Sequence, residues 1–149
     1  MLELTETYLA EVDAGLLIEL ETLSRRGIRL AADDYGTGYS PLTRIVEMPV
    51  SMIKIDQQFV RAVTTDHRSL AVVSALTELA RTLELGVVAE GVETDEHARI
   101  LHALGIPLGQ GHLWHPALPP SDFDRLIDAS ARLALHAPPS PADAHCVAS

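Results

Sequence analysis

The chain has 149 residues, 47% hydrophobic and 21% charged, a globular composition of one domain's length that argues against a second domain and against wholesale disorder. Its formal charge of −10, from 21 acidic and 11 basic residues with no basic cluster beyond Arg25 and Arg26, argues against DNA or RNA binding by counterion release. Cys146 is the only cysteine, so no intramolecular disulfide is available, and neither a signal pattern nor an apolar run of membrane-spanning length is present; a cytoplasmic segment without membrane contact is expected.

Residues 2–5 form a short apolar run that ends at Glu6, with Glu3 inside it. Residues 12–26 then place Leu16, Leu17, Leu20 and Leu23 at helical spacing, and Gly27 supplies a stop. A second strand follows directly: residues 28–40 read I-R-L-A-A-D-D-Y-G-T-G-Y-S, an apolar run ending in Asp33 and Asp34 and then a glycine-hinged loop. Ser40 and Pro41 open a short helix to about Val46, with proline in a first turn where its missing N–H does no harm. Pro49 leads into a strand over 52–55 that contains Lys54 and ends at Asp56. Residues 57–63 read as one or two helical turns, and Asp66 caps a long helix through Leu70, Val73, Leu76, Leu79 and Leu83 that Gly86 ends.

A fourth strand over 87–89 ends at Glu90 and Gly91, and Thr94 with His97 three positions on begins a helix to Leu104. Residues 105–110 give a fifth strand, interrupted by Pro107 and Gly109. The run P-P-S-D at 119–122 caps a last helix from Phe123 to about Leu133, so the folded domain spans 1–133 and a Pro/Ala-rich disordered tail spans 134–149. Strand alternating with helix predicts an α/β fold with parallel strands, about five βα units whose C-terminal ends share one face.

Charge recurs at those ends: Glu3 and Glu6, Asp33 and Asp34, Lys54 and Asp56, then Glu90. Adjacent residues of a strand point to opposite faces, so Asp33 and Asp34 can serve one site only where the strand ends and its backbone turns. Two carboxylates held together repel, and a hard divalent cation with oxygen ligands is the natural compensation. The alternative for each residue alone is modest: an Asp capping a turn, a lysine at a solvated strand end, a Glu in a cap or surface ion pair.

The blocks L-E-L-T-E, A-D-D-Y-G-T-G-Y-S, P-V-S-M-I-K-I-D-Q-Q-F-V, V-V-A-E-G-V-E-T and Q-G-H-L-W-H-P, in that order, resemble the signature blocks of EAL domains. That resemblance covers residues 2–127. It implies a partial TIM-like (β/α) barrel and a bacterial second-messenger enzyme that hydrolyses cyclic di-GMP to linear pGpG with two Mg²⁺ or Mn²⁺ ions. Carried over block by block, it implies Glu3, Asp33 and Asp34 as metal ligands. It further implies that Lys54 contacts the attacking water or the phosphate, that Glu90 supports the second metal, and that Gln110 and Asp56 contact substrate.

The chain also departs from the family pattern. The E-A-L (or E-x-L) strand and the Asn-bearing strand, which supply further ligands, belong ahead of Glu3 and are absent from these 149 residues. Tyr35 replaces the usual Phe, Pro41 a usual Ser, Ser51 a common Asp, and His112 the usual aromatic after Q-G. His112 and His115 flank Trp114 and suit rim packing or ligand stacking, whereas His67, His97 and His102 are expected on helix surfaces. Three functions follow: an EAL-type phosphodiesterase impaired by truncation, a non-catalytic nucleotide- or protein-binding module, and a non-functional gene fragment. Five units with open sheet edges also suggest a homo-oligomer.

Overall fold

Five strands alternate with helices in the structure, a computed structural model that describes residues 1–36 and 42–136. β1 (Leu2–Thr5) leads through α1 (Glu6–Glu11) and α2 (Ala14–Arg25) to β2 (Leu30–Tyr35), and α3 (Leu42–Glu47) precedes β3 (Met52–Ile55). Next come α4 (Gln57–Ala62), α5 (His67–Thr82), β4 (Gly86–Glu90), α6 (Asp95–Ala103), β5 (Leu108–Gln110) and α7 (Pro120–His136). The strands lie in the order β1-β2-β3-β4-β5, every neighbouring pair parallel. Consecutive parallel strands joined by helices are the unit of a TIM-like barrel, and five such units are present as an open sheet with β1 and β5 at its edges.

Two compact units divide the chain, residues 1–114 and 115–149. The first contains the sheet and α1 to α6. Its core lies between the sheet and the helices, where Leu4, Leu30, Ala32, Ile53, Ile55, Val87 and Ala89 of the strands meet Leu9, Leu20, Ile45, Val60, Val73, Leu76 and Leu101 of the helices. The opposite face follows from the strand period of two: the registers align Glu3 with Ala31 and Lys54 with Val88, so charged side chains alternate with the core residues. In the second unit, α7 starts where Asp122 and Phe123 donate backbone N–H groups to the Pro119 carbonyl.

The structure departs from expectation at several boundaries. The helical stretch after β1 is two helices, because Thr5 caps α1 and Asp13 caps α2 by accepting from the Leu16 N–H at 2.9 Å, with Val12 extended between them. Glu6 therefore begins a helix. Gly86 does not stop α5: that helix ends at Thr82 with Leu83 as its C-cap, Glu84 takes the left-handed conformation (φ 57°), and Gly86 starts β4 by donating to the Ser51 carbonyl. The fifth strand is confined to Leu108–Gln110, beyond Pro107.

His97 is buried, not on a helix surface; its N–H donates to Thr94 Oγ1 at 3.1 Å and its Nδ1 accepts from the Glu93 N–H at 3.5 Å. α7 runs to His136, three residues past its expected end. Ser40 and Pro41, and the expected tail from residue 137 on with His145 and Cys146, lie outside the described residues.

Candidate metal centre

The registers of β2 against β3 carry the site's main device. Ala32 pairs with Ile53 and Tyr35 with Ile55, so two residues of β2, Asp33 and Asp34, stand opposite the single residue Lys54 of β3. This is a β-bulge, and it resolves the constraint that adjacent side chains point apart. Asp34 completes it with φ 54°, a left-handed conformation that Asp tolerates better than most residues. One oxygen each of Asp33, Asp34 and Glu90 consequently lie within 4.8 Å of one another. Oxygen ligands around one Mg²⁺ sit up to about 4.2 Å apart, so small side-chain rotations would gather these three on a single hard cation.

Lys54 stands among the same groups. Its Nζ is 2.7 Å from Glu90 Oε1, 2.8 Å from Asp33 Oδ1 and 3.1 Å from Glu3 Oε1, and the residue is only 5% exposed. Burial works against its charge, but the hydrogen bonds to Asp33, Glu90 and Glu3 outweigh burial and raise its pKa, keeping the ammonium protonated. Glu90 is shifted up, chiefly by burial, which prevails over the opposing pull of Lys54. Asp34 is also shifted up, by burial, then by the charges of Asp33 and Asp56 and a hydrogen bond shared with the Asp56 side chain. The rim thus holds more negative charge than one lysine neutralises, and a divalent cation would relieve it.

The remaining sequence-derived residues fall at the same end of the sheet with different attachments. Glu3 meets Lys54 but lies outside the Asp33–Asp34–Glu90 trio, and its side chain is 44% exposed. Asp56 follows β3 and caps α4, accepting from the Gln58 N–H at 2.8 Å. Gln110 ends β5 in register with Glu90, and its carbonyl accepts from the Val92 N–H at 3.1 Å. Trp114 lies against Gly109 of β5, where a Cβ would meet its indole at 2.7 Å, which is a packing role; His112 is exposed.

Two residues matter more than their sequence positions suggest. Glu6 is 4% exposed and accepts from the Gly36 N–H at 3.0 Å, tying the start of α1 to the turn that leaves β2. Its signal in the sequence was the Thr-Glu pair, a cap followed by a first-turn acid. Lys54 is the only lysine in the chain against ten arginines, and it supplies a compact point charge where an Arg would supply a planar fork.

Known proteins are similar to this chain in sequence and in fold. The cyclic di-GMP phosphodiesterase RocR of Pseudomonas aeruginosa is 43% identical over 123 residues, covering 83% of this chain and 31% of RocR. The solved structure of the phosphodiesterase PaMucR in complex with c-di-GMP superposes with a TM-score of 0.76 at 39% identity, covering 81% of this chain and 49% of that one. A manganese and cyclic di-GMP complex of Klebsiella pneumoniae BlrP1 superposes with a TM-score of 0.69 at 36% identity, covering 74% of this chain and 28% of BlrP1. This chain thus spans half or less of each of these relatives. Residues 1–117, which include every strand and the whole acidic rim, match the EAL domain, and the chain belongs to that family.

Proposed function

We propose that the rim site takes part in divalent-metal-dependent hydrolysis of cyclic di-GMP to linear pGpG, with Mg²⁺ or Mn²⁺ as the ion. One observation carries the reading: in a chain of the EAL family, the β2 bulge gathers Asp33 and Asp34 beside Glu90, with Lys54 on two of the three. When bound, a pair of such ions lowers the pKa of a water and stabilises the attacking and leaving oxygens of a phosphodiester. Glu3, Asp33 and Asp34 would hold the ions, and Glu90 would support them. Lys54 would present a positive charge to the phosphoryl transition state, and Gln110 and Asp56 would orient the dinucleotide.

Relatives at 43% and 38% identity are named cyclic di-GMP phosphodiesterases, which supports this substrate. On the same reading the chain is a signal-transduction module of the cytoplasm, for which the single cysteine is the supporting feature; no described helix is long and apolar enough to cross a membrane. Because the E-x-L and Asn-bearing blocks are not among these 149 residues, the chain alone is expected to turn over slowly or not at all.

The experiment is a chromatographic assay for pGpG with Mn²⁺ or Mg²⁺, on the chain alone and on a fusion to an upstream EAL half carrying those blocks. The fusion should be active and Asp33→Asn should abolish its activity. A folded fusion that binds Mn²⁺ yet never yields pGpG would refute the enzymatic reading. It would favour a non-catalytic binding module, in which Lys54 bridges Glu3, Asp33 and Glu90 and holds the rim together.

A further inference from the structure

We propose that Lys54 is a built-in counter-ion that competes with the divalent cation for Asp33 and Glu90, so that loading the metal and freeing the lysine are one event. This inference rests on the metal-centre reading above. The geometry is specific: Nζ lies 2.8 Å from Asp33 and 2.7 Å from Glu90, two members of the trio whose oxygens converge. A cation drawn to that trio meets a buried ammonium already hydrogen-bonded there, and two positive charges a few ångströms apart in a half-buried site repel strongly. Glu3, the third contact, is outside the trio, so a cation seated there would take two of the lysine's three carboxylates and leave Glu3 to it.

Two consequences follow. Without metal, Lys54 keeps the site from flying apart electrostatically, since removing it would leave several carboxylates close together with no partner cation. With metal, the ammonium leaves those oxygens and becomes available at the rim, where a phosphate would be bound. The same residue thereby sets the threshold for metal and is armed by it.

The chain makes the test direct, because Lys54 is its only lysine and the α-amine of the exposed Met1 serves as an internal standard. Reductive methylation followed by mass spectrometry on the 149-residue protein should modify Lys54 slowly without divalent cation. Modification should be at least tenfold faster at saturating Mn²⁺, with Met1 unchanged and ionic strength matched. Calorimetric titration with Mn²⁺ should show Lys54→Met binding at least tenfold more tightly than wild type. If Lys54→Met fails to fold, the labelling measurement on wild type decides alone. Mn²⁺ binding by wild type with no change in Lys54 labelling, or with no tighter binding by a folded Lys54→Met, overturns the inference and leaves the metal-centre reading standing. Absence of Mn²⁺ binding in both proteins overturns the two together.

Discussion

At Asp34 the backbone takes φ 54°, which crowds any residue that carries a Cβ, and the neighbouring Tyr35 is buried at 3% exposure with a hydroxyl that has no hydrogen-bond partner among the described residues. A buried hydroxyl without a partner forfeits its hydration for nothing in return. Tyr35→Phe should therefore stabilise the protein by about 1 kcal/mol, read as a higher urea midpoint with an unchanged slope; a lower midpoint would mean that the hydroxyl has a partner after all. Gly91 tests the opposite case. Its φ is 67° and a Cβ there would lie 2.5 Å from Gln57 Cβ, so Gly91→Ala should destabilise by about 2 kcal/mol or more and disturb the exit of β4 beside Glu90. At this scale the sequence was legible where chemistry sits at strand ends: Asp33, Asp34, Lys54, Glu90, Asp56 and Gln110 all fall at one rim. Burial of Glu6, Tyr35 and His97 is not legible, because it depends on tertiary packing between elements distant in the chain, and the bulge that reconciles Asp33 with Asp34 exists only in the pairing of two strands.

Element by element, the features written in local side chains were the readable ones. β3 matches its expected bounds because an apolar run sits between Pro49 and the capping Asp56, and α4 follows that cap directly. α1 is not legible because six residues are too few to display a helical period, and Gly86 is not the stop because α5 has already ended ahead of a left-handed turn at Glu84, with the Leu85 N–H donating to the Ala80 carbonyl at 2.8 Å. The best-defined cap gives a pH prediction. Asp66 accepts from the Ser69 hydroxyl and from the N–H groups of Arg68 and Ser69, and the Ser69 contact first, then those amides, hold its pKa below the usual aspartate value. A carboxyl with a depressed folded-state pKa binds its proton more weakly in the folded chain, so its contribution is present above the unfolded value near pH 4 and is lost as pH falls through the folded one. Asp66→Ser keeps a cap without that titration. The stability difference between wild type and Asp66→Ser should shrink as pH falls from 7 to 3 in circular-dichroism melts, while Asp66→Ala should melt lower than both at pH 7. A difference that stays constant across that range would remove the charge from the explanation.

For the molecule as a whole, the decisive feature is that among the described residues β1 and β5 are the edges of an open parallel sheet, an arrangement that parallel strands seldom leave open to water. Beside β1, a groove of about 460 Å³ is lined by Leu2, Leu4, Tyr8, Leu16, Leu20 and Leu23, with Leu2 40% and Tyr8 44% exposed. An edge strand next to a largely apolar groove is a template for another strand and the helix that follows it. Two copies of the chain meeting edge to edge would cover both at once, although ten strands need not close as eight do. The purified chain should therefore sediment with an apparent mass that rises with concentration. A separately expressed upstream EAL half, which offers strands of the matching kind, should compete with self-association and give a one-to-one complex. Arg or Glu in place of Leu4 would not separate the two outcomes, since that side chain is in the core; Leu2→Lys, at the exposed edge, should weaken both associations while leaving the fold intact. A compact monomer at every concentration, melting cooperatively and indifferent to Leu2→Lys, would show that the five units cover their own edges.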